Sequence, residues 1–149
     1  ARADRDALGW IERNTIRLAQ LPVFRQAFED LVLAGETAFV RLRDVERFTW
    51  VPHVADLLLA VAEISFVAAW TVQGDRIRVS LRHERDGLDA PDVLAAALGF
   101  GARVGGHPTA AAGWVSIADF AATAGVAPED GPALDAAMRA RLLAVVGER

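Results

Sequence analysis

The chain has 149 residues, 53% of them hydrophobic and 24% charged, with no cysteine and a formal net charge of −4. These figures fit one globular domain with a real core and exclude both a disulfide framework and a cysteine-based zinc site. No run of about 18 apolar residues is present to span a membrane, no signal-peptide pattern opens the chain, and no basic block offers the surface that long nucleic acid needs.

All 16 basic residues are arginine. A short or single-nucleotide ligand held by a few arginines is compatible with this charge, and a cytoplasmic location is the expectation that the missing cysteines favour. The first residue is Ala1 rather than methionine, so a piece of a longer protein is expected.

Leu8, Ile11, Thr15 and Leu18 recur at helical spacing and predict a helix over Asp4–Gln20. Trp10 within it reads as core or interface. Leu21-Pro22 breaks this helix and opens a second. Phe24, Ala27, Phe28 and Leu31 share one side of the second helix, and Gly35 is its expected stop. Thr37–Leu42 reads as a strand, and Arg43–Trp50 as a polar turn or short helix.

Val51-Pro52 marks the entry to a largely buried helix reaching Ala62. On it, Asp56 reads as a solvent-edge or hydrogen-bonded acid. His53 has no partner at metal-ligand spacing and reads as structural. Ile64–Val72 is the clearest strand, and Gln73-Gly74-Asp75 turns it back into Arg76–Arg82. There Ile77, Val79 and Leu81 alternate with Arg76, Arg78, Ser80 and Arg82, so one face is core and the other polar. The polar face is either solvated surface or an anion site, since arginine forks match phosphate geometry. Periodicity alone does not choose.

Arg85–Asp89 is a charged connection, and Pro91–Leu98 is a helix ended by Gly99. The run Gly99-Phe100-Gly101-Ala102-Arg103-Val104-Gly105 superficially looks like a dinucleotide fingerprint. It follows a helix rather than a strand, which is the wrong context. Next comes Gly105-Gly106-His107-Pro108-Thr109-Ala110-Ala111-Ala112-Gly113. One reading is a surface turn leading into a small-residue packing contact. The other is an anion-binding loop opening a helix at Pro108, with His107 and free backbone N–H groups as donors.

Trp114–Ile117 then reads as a strand, Ala118–Thr123 as a helical turn and Pro132–Val146 as a final amphipathic helix. The sum is an α/β domain: a mixed sheet of about four to five strands with helices packed on it, preceded by N-terminal helices.

Three stretches together resemble the DHH-associated domain, the C-terminal substrate-binding half of DHH-family phosphoesterases. That family includes bacterial oligoribonucleases and phosphoadenosine-phosphate phosphatases. Gly105-Gly106-His107 with its closing small residues looks like the family's Gly-Gly-His signature. Val54-Ala55-Asp56-Leu57-Leu58 resembles its Ala-Asp-hydrophobic helix, and Val79-Ser80-Leu81-Arg82 its Ser-hydrophobic-Arg strand. The match runs from about Pro52 to Phe120. It departs from the family at His83, where serine is common, and at Ala112, which occupies the first closing-glycine position.

The resemblance implies N-terminal helices over 1–35 and a DHH-associated domain over 36–149. It implies phosphate binding by Arg82, Gly105, Gly106 and His107, with Ser80 beside them and Arg103 as an extra contact. The partner it implies is a nucleotide or short single-stranded oligonucleotide; a homodimer is left open. In the family an Asp-His-His run with further aspartates binds manganese in an N-terminal catalytic domain. No such run occurs in these residues, and neither does a Gly-x-Ser-x-Gly nucleophile elbow. The chain itself is therefore assigned no catalytic or metal residues, and manganese is expected in the catalytic domain of the parent phosphoesterase. The alternatives are a regulatory nucleotide- or RNA-binding module and a structural domain with a degenerate site.

Overall fold

The computed structural model describes residues 15–147. The helix expected over Asp4–Gln20, with Trp10, lies mostly outside the described residues; within them its last turn is a 3-10 turn, Leu18–Gln20. Pro22 then sits in the first turn of α1, Leu21–Glu29, where its missing N–H costs nothing. Val23, Phe24 and Ala27 are buried, but Phe28 is exposed. The helix ends well before Gly35. The intervening residues form a short strand, β1 (Val32–Ala34), paired antiparallel with β2 (Thr37–Leu42). Gly35 lies in the turn of that hairpin with φ 58°, a conformation glycine adopts without penalty.

Helix α2 (Trp50–Leu59) crosses to β3 (Phe66–Gln73), which runs parallel to β2. Gly74-Asp75 returns the chain as β4 (Arg76–His83), antiparallel to β3. Helix α3 (Ala90–Leu98) is capped by the Asp89 side chain, which accepts from the Asp92 N–H. Then come β5 (Arg103–His107), β6 (Ala110–Ser116), α4 (Ile117–Ala124) and α5 (Gly131–Val146). The six strands form one mixed sheet in the order β1-β2-β3-β4-β6-β5. The expected α/β class holds, with six strands instead of four to five.

The largest departure is at Gly105–Gly113. No helix starts at Pro108. The stretch is a hairpin of β5 and β6, turned by Pro108-Thr109, with His107 opposite Ala110. Alanine favours helices only weakly, and pairing on both sides overrides that preference. Here β6 lies between β4 and β5, and Ala111 is buried on the face that α3 covers. A small side chain there lets the helix approach the sheet.

Alternation along the strands divides the core into two layers. Val67 and Ala69 pack with Val23, Phe24, Val54 and Leu58 of α1 and α2. Ala68 and Trp70 face the other way, toward Leu94, Phe120, Met138 and Leu142 of α3, α4 and α5. Helix α2 rests on β3 and β4. Beyond it, Gly105 and Ala112 are exposed on the α2 side, so the sheet is open there over β6 and β5.

Candidate functional site

Residues opposite one another in neighbouring strands point to the same face. On the open face the register of β4, β6 and β5 builds three rows. Arg82, Ala110 and His107 form one, and Ser80, Ala112 and Gly105 the next. Arg78, Trp114 and Arg103 form the third. Successive rows are two residues apart, so the first and third are about 13 Å apart at roughly 3.3 Å per residue. Large polar or aromatic side chains stand at both ends, and the smallest ones form the floor between them.

At the first end, Arg82 is held from several sides. Its Nε donates to Asp56 Oδ1 at 3.0 Å, and its Nη1 donates to the Leu81 carbonyl at 2.9 Å. The acid on α2 thus proves to be hydrogen-bonded, as the sequence suggested. The Arg82 side chain is 20% exposed, enough to meet a ligand at the edge of the sheet. His107, on the far side of β6 in the same row, is exposed at the end of β5. Because β5 is an edge strand, half of its backbone N–H groups point away from β6. Successive strand amides point to opposite sides, so only one of the Gly105 and Gly106 N–H groups is free at this edge, and neither belongs to a helix N-terminus.

The floor is open where a ligand would need it to be. A Cβ added at Gly105 would meet nothing within 4 Å. Ser80 lies under that surface, fully buried, with no hydrogen-bond partner for its Oγ among the described residues. Arg103 stands apart from Arg82 and His107, in the third row. So the register sets Arg82 and His107 in one row and Gly105 in the next, turns Gly106 with Ala111 to the other face of the sheet, buries Ser80 beside Arg82, and sends Arg103 to the opposite end of the trough.

His83 supports this end of the site, and no sequence signal beyond its departure from the family serine marked it. It is buried, and its Nδ1 accepts the Arg85 N–H at 3.0 Å. The ring proton must then sit on Nε2, which donates to the Pro108 carbonyl at 2.8 Å. Ala90 N–H also donates to the Pro108 carbonyl, and His83 N–H donates to the Thr109 carbonyl. The hairpin tip that carries His107 is thereby tied to the end of β4 and the start of α3. His53 fills the structural place expected of it: its Nδ1 lies 2.8 Å from Nε2 of buried Gln20.

A second cleft, of about 220 Å³, lies near β1 and β2, where Arg41, Arg43 and Arg139 line it together with Asp30 and Asp135. Arg43 meets Asp30 at 2.6 Å and Arg41 meets Asp135 at 3.6 Å, so much of its charge is balanced internally.

Among the described residues no group of three or more His, Cys, Asp or Glu side chains could hold a metal ion. The manganese that the resemblance implies belongs to a catalytic domain, and the described residues offer no ligand set for it. Nor is any helix among the described residues long and apolar enough to cross a membrane.

No protein-family model matches the chain, and no curated protein matches it in sequence. Solved structures do match its shape. An exopolyphosphatase-related protein from Bacteroides fragilis superposes with a TM-score of 0.59 at 14% identity, over 89% of this chain and 38% of that one. The C-Ala domain of Aquifex aeolicus alanyl-tRNA synthetase gives 0.55 at 18% identity, over 78% of this chain and 98% of that one. RecJ from Thermus thermophilus, solved with Mg²⁺, gives 0.54 at 17% identity, over 84% of this chain and 17% of that one. The chain therefore spans well under half of the first of these proteins and about a sixth of RecJ. At these identities the likeness is one of fold.

Proposed function

We propose that this chain is the substrate-binding domain of a DHH-family phosphoesterase and that it holds a phosphate of a nucleotide or short single-stranded oligonucleotide. The catalytic domain of the same protein would supply the manganese and the hydrolytic chemistry. The observation that carries the reading is the cross-strand row that sets Arg82 and His107 on either side of Ala110, beside the open floor at Gly105.

In this reading the Arg82 guanidinium grips a phosphate oxygen. His107 holds another, and of the Gly105 and Gly106 amides the one that points away from β6 is free to donate as well. Positioning and charge neutralisation dominate catalysis of phosphoryl transfer, so a domain that only orients the phosphate contributes directly to the rate. The likeness to RecJ and to the exopolyphosphatase-related protein supports this placement at the level of fold.

The test is a chemical-shift titration of the chain with adenosine 5′-monophosphate. Charge-assisted hydrogen bonds contribute about 1.5–3 kcal/mol each, so Arg82→Ala or His107→Ala should weaken binding roughly ten- to a hundredfold. His53→Ala should leave it unchanged. Shifts that cluster away from Arg82 and the β5–β6 hairpin, or a loss from His53→Ala equal to that from His107→Ala, would refute the assignment.

A further inference from the structure

The cleft beside β1 and β2 is the other place where charge gathers, and it opens because β1 is short. The first residue of β1, Val32, lies opposite Phe39, so no strand covers the edge of β2 from Val40 onward. Gln26 of α1 takes up the backbone there, donating to the Arg41 carbonyl at 2.9 Å and accepting the Arg43 N–H at 2.8 Å. Arg41 lies opposite Trp70 of β3, on the face that α5 covers. Arg82 lies opposite Val67, whose side chain packs on the other face. The cleft, of about 220 Å³, is thus separated from Arg82 by the sheet itself, and α5 contributes Asp135 and Arg139 to its wall.

Both carboxylates of the cleft are already engaged. Asp30 Oδ2 accepts from Arg43 at 2.6 Å and from Gln26 at 2.7 Å. Asp135 Oδ1 accepts from the Trp70 indole at 3.0 Å, and its Oδ2 stands 3.6 Å from Arg41 Nη1, too far for a hydrogen bond. The Nε of Arg41 is buried without a partner among the described residues. Arg139 follows Asp135 by four residues on α5, the spacing at which helical ion pairs form. It is half-buried, yet it makes no hydrogen bond or ion pair among the described residues. Three arginines and two aspartates leave one positive charge in excess, and the donors left over belong to Arg41 and Arg139.

We infer that this cleft binds the oxyanion group of a small, singly charged ligand, a carboxylate or a phosphodiester, between the guanidinium groups of Arg41 and Arg139. Arginine forks match the oxygens of both groups. The excess of one positive charge suits a monoanion, and the two carboxylates beside it disfavour a dianion. The site is independent of the phosphate site proposed above. An anion that competes with Asp135 for Arg41 changes the setting of the Trp70 indole, which Asp135 holds.

The experiment titrates the full chain at constant ionic strength with propionate and, separately, with dimethyl phosphate, following the Trp70 indole N–H and the α5 backbone. We expect a saturable shift from at least one of them, and the one that saturates at the lower concentration identifies the source of the oxyanion. Arg139→Gln, at a side chain without a bond to lose, should weaken that binding by at least about tenfold. Arg139→Lys, which keeps the charge and loses the fork, should weaken it less. Arg82→Ala should leave the Trp70 response as it is.

A linear response to both ligands, an equal shift from potassium chloride, or undiminished binding in Arg139→Gln would overturn the inference. A response lost in Arg82→Ala and kept in Arg139→Gln would also overturn it, while leaving the phosphate site standing.

Discussion

Gly105→Val separates folding from binding in one substitution. Within the β5–β6 hairpin three glycines stand in different circumstances. At Gly106, φ is 145° and an added Cβ would collide with the Ala110 carbonyl oxygen and approach Ala111 Cα to 2.7 Å. At Gly113 it would lie 2.6 Å from the Arg103 carbonyl oxygen. Both are glycine because the hairpin requires it, so Gly106→Val would damage the fold and report nothing about a ligand. Gly105 has no positive φ, and a Cβ placed on it would have no atom within 4 Å. Replacing glycine within a strand gains about 0.5–1 kcal/mol of backbone entropy, and valine suits a pleated surface. Stability should therefore hold or rise, with a melting temperature up by at most about 4 °C for a domain of this size.

The valine side chain would stand on the floor in the row next to Arg82 and His107 and weaken adenosine 5′-monophosphate binding by at least about tenfold, the loss of one charge-assisted hydrogen bond. Thermal unfolding and a nucleotide titration of the same sample read both effects. Undiminished binding would show that the floor is not the site. A drop in melting temperature would show that the space above Gly105 is not open.

Two further predictions bear on the supports of the site. His83→Ala removes both imidazole bonds and leaves the Arg85 N–H buried without its acceptor; it should cost about 2–4 kcal/mol in denaturant unfolding and speed amide exchange in β5 and β6, and a cost under about 1 kcal/mol would mean that the tip is held by other bonds. Asp56→Asn should cost less than about 1 kcal/mol, since the pair with Arg82 is partly exposed. It should not weaken phosphate binding, because the carboxylate competes for the same guanidinium; a tenfold loss would show that Asp56 is needed to aim Arg82.

The sequence by itself determined the class of the fold, the extent of β2, the β3–β4 hairpin and the helices that begin at Pro22, Pro91 and Pro132. Each is set by local rules: apolar period, fixed turn residues, proline at the first helical turn. It also picked out Arg82 and Gly105-Gly106-His107, through their likeness to a known signature. The same local rules left Pro108–Ala112 open between a turn into a packing contact and a helix start, and misread Gly35 as a helix stop. In both places the outcome depends on a strand pairing that composition does not encode.

Only the tertiary structure decided which residues share a row. Register between β4, β6 and β5 places Arg82 level with His107 and sends Arg103 to Trp114, although Arg103 is four residues from His107 in sequence. It also buries Ser80 and turns His83 toward the hairpin tip. Register is a long-range property, set by which faces are buried and by where the strands meet. A one-residue slip in it would turn every one of these side chains to the other side of the sheet.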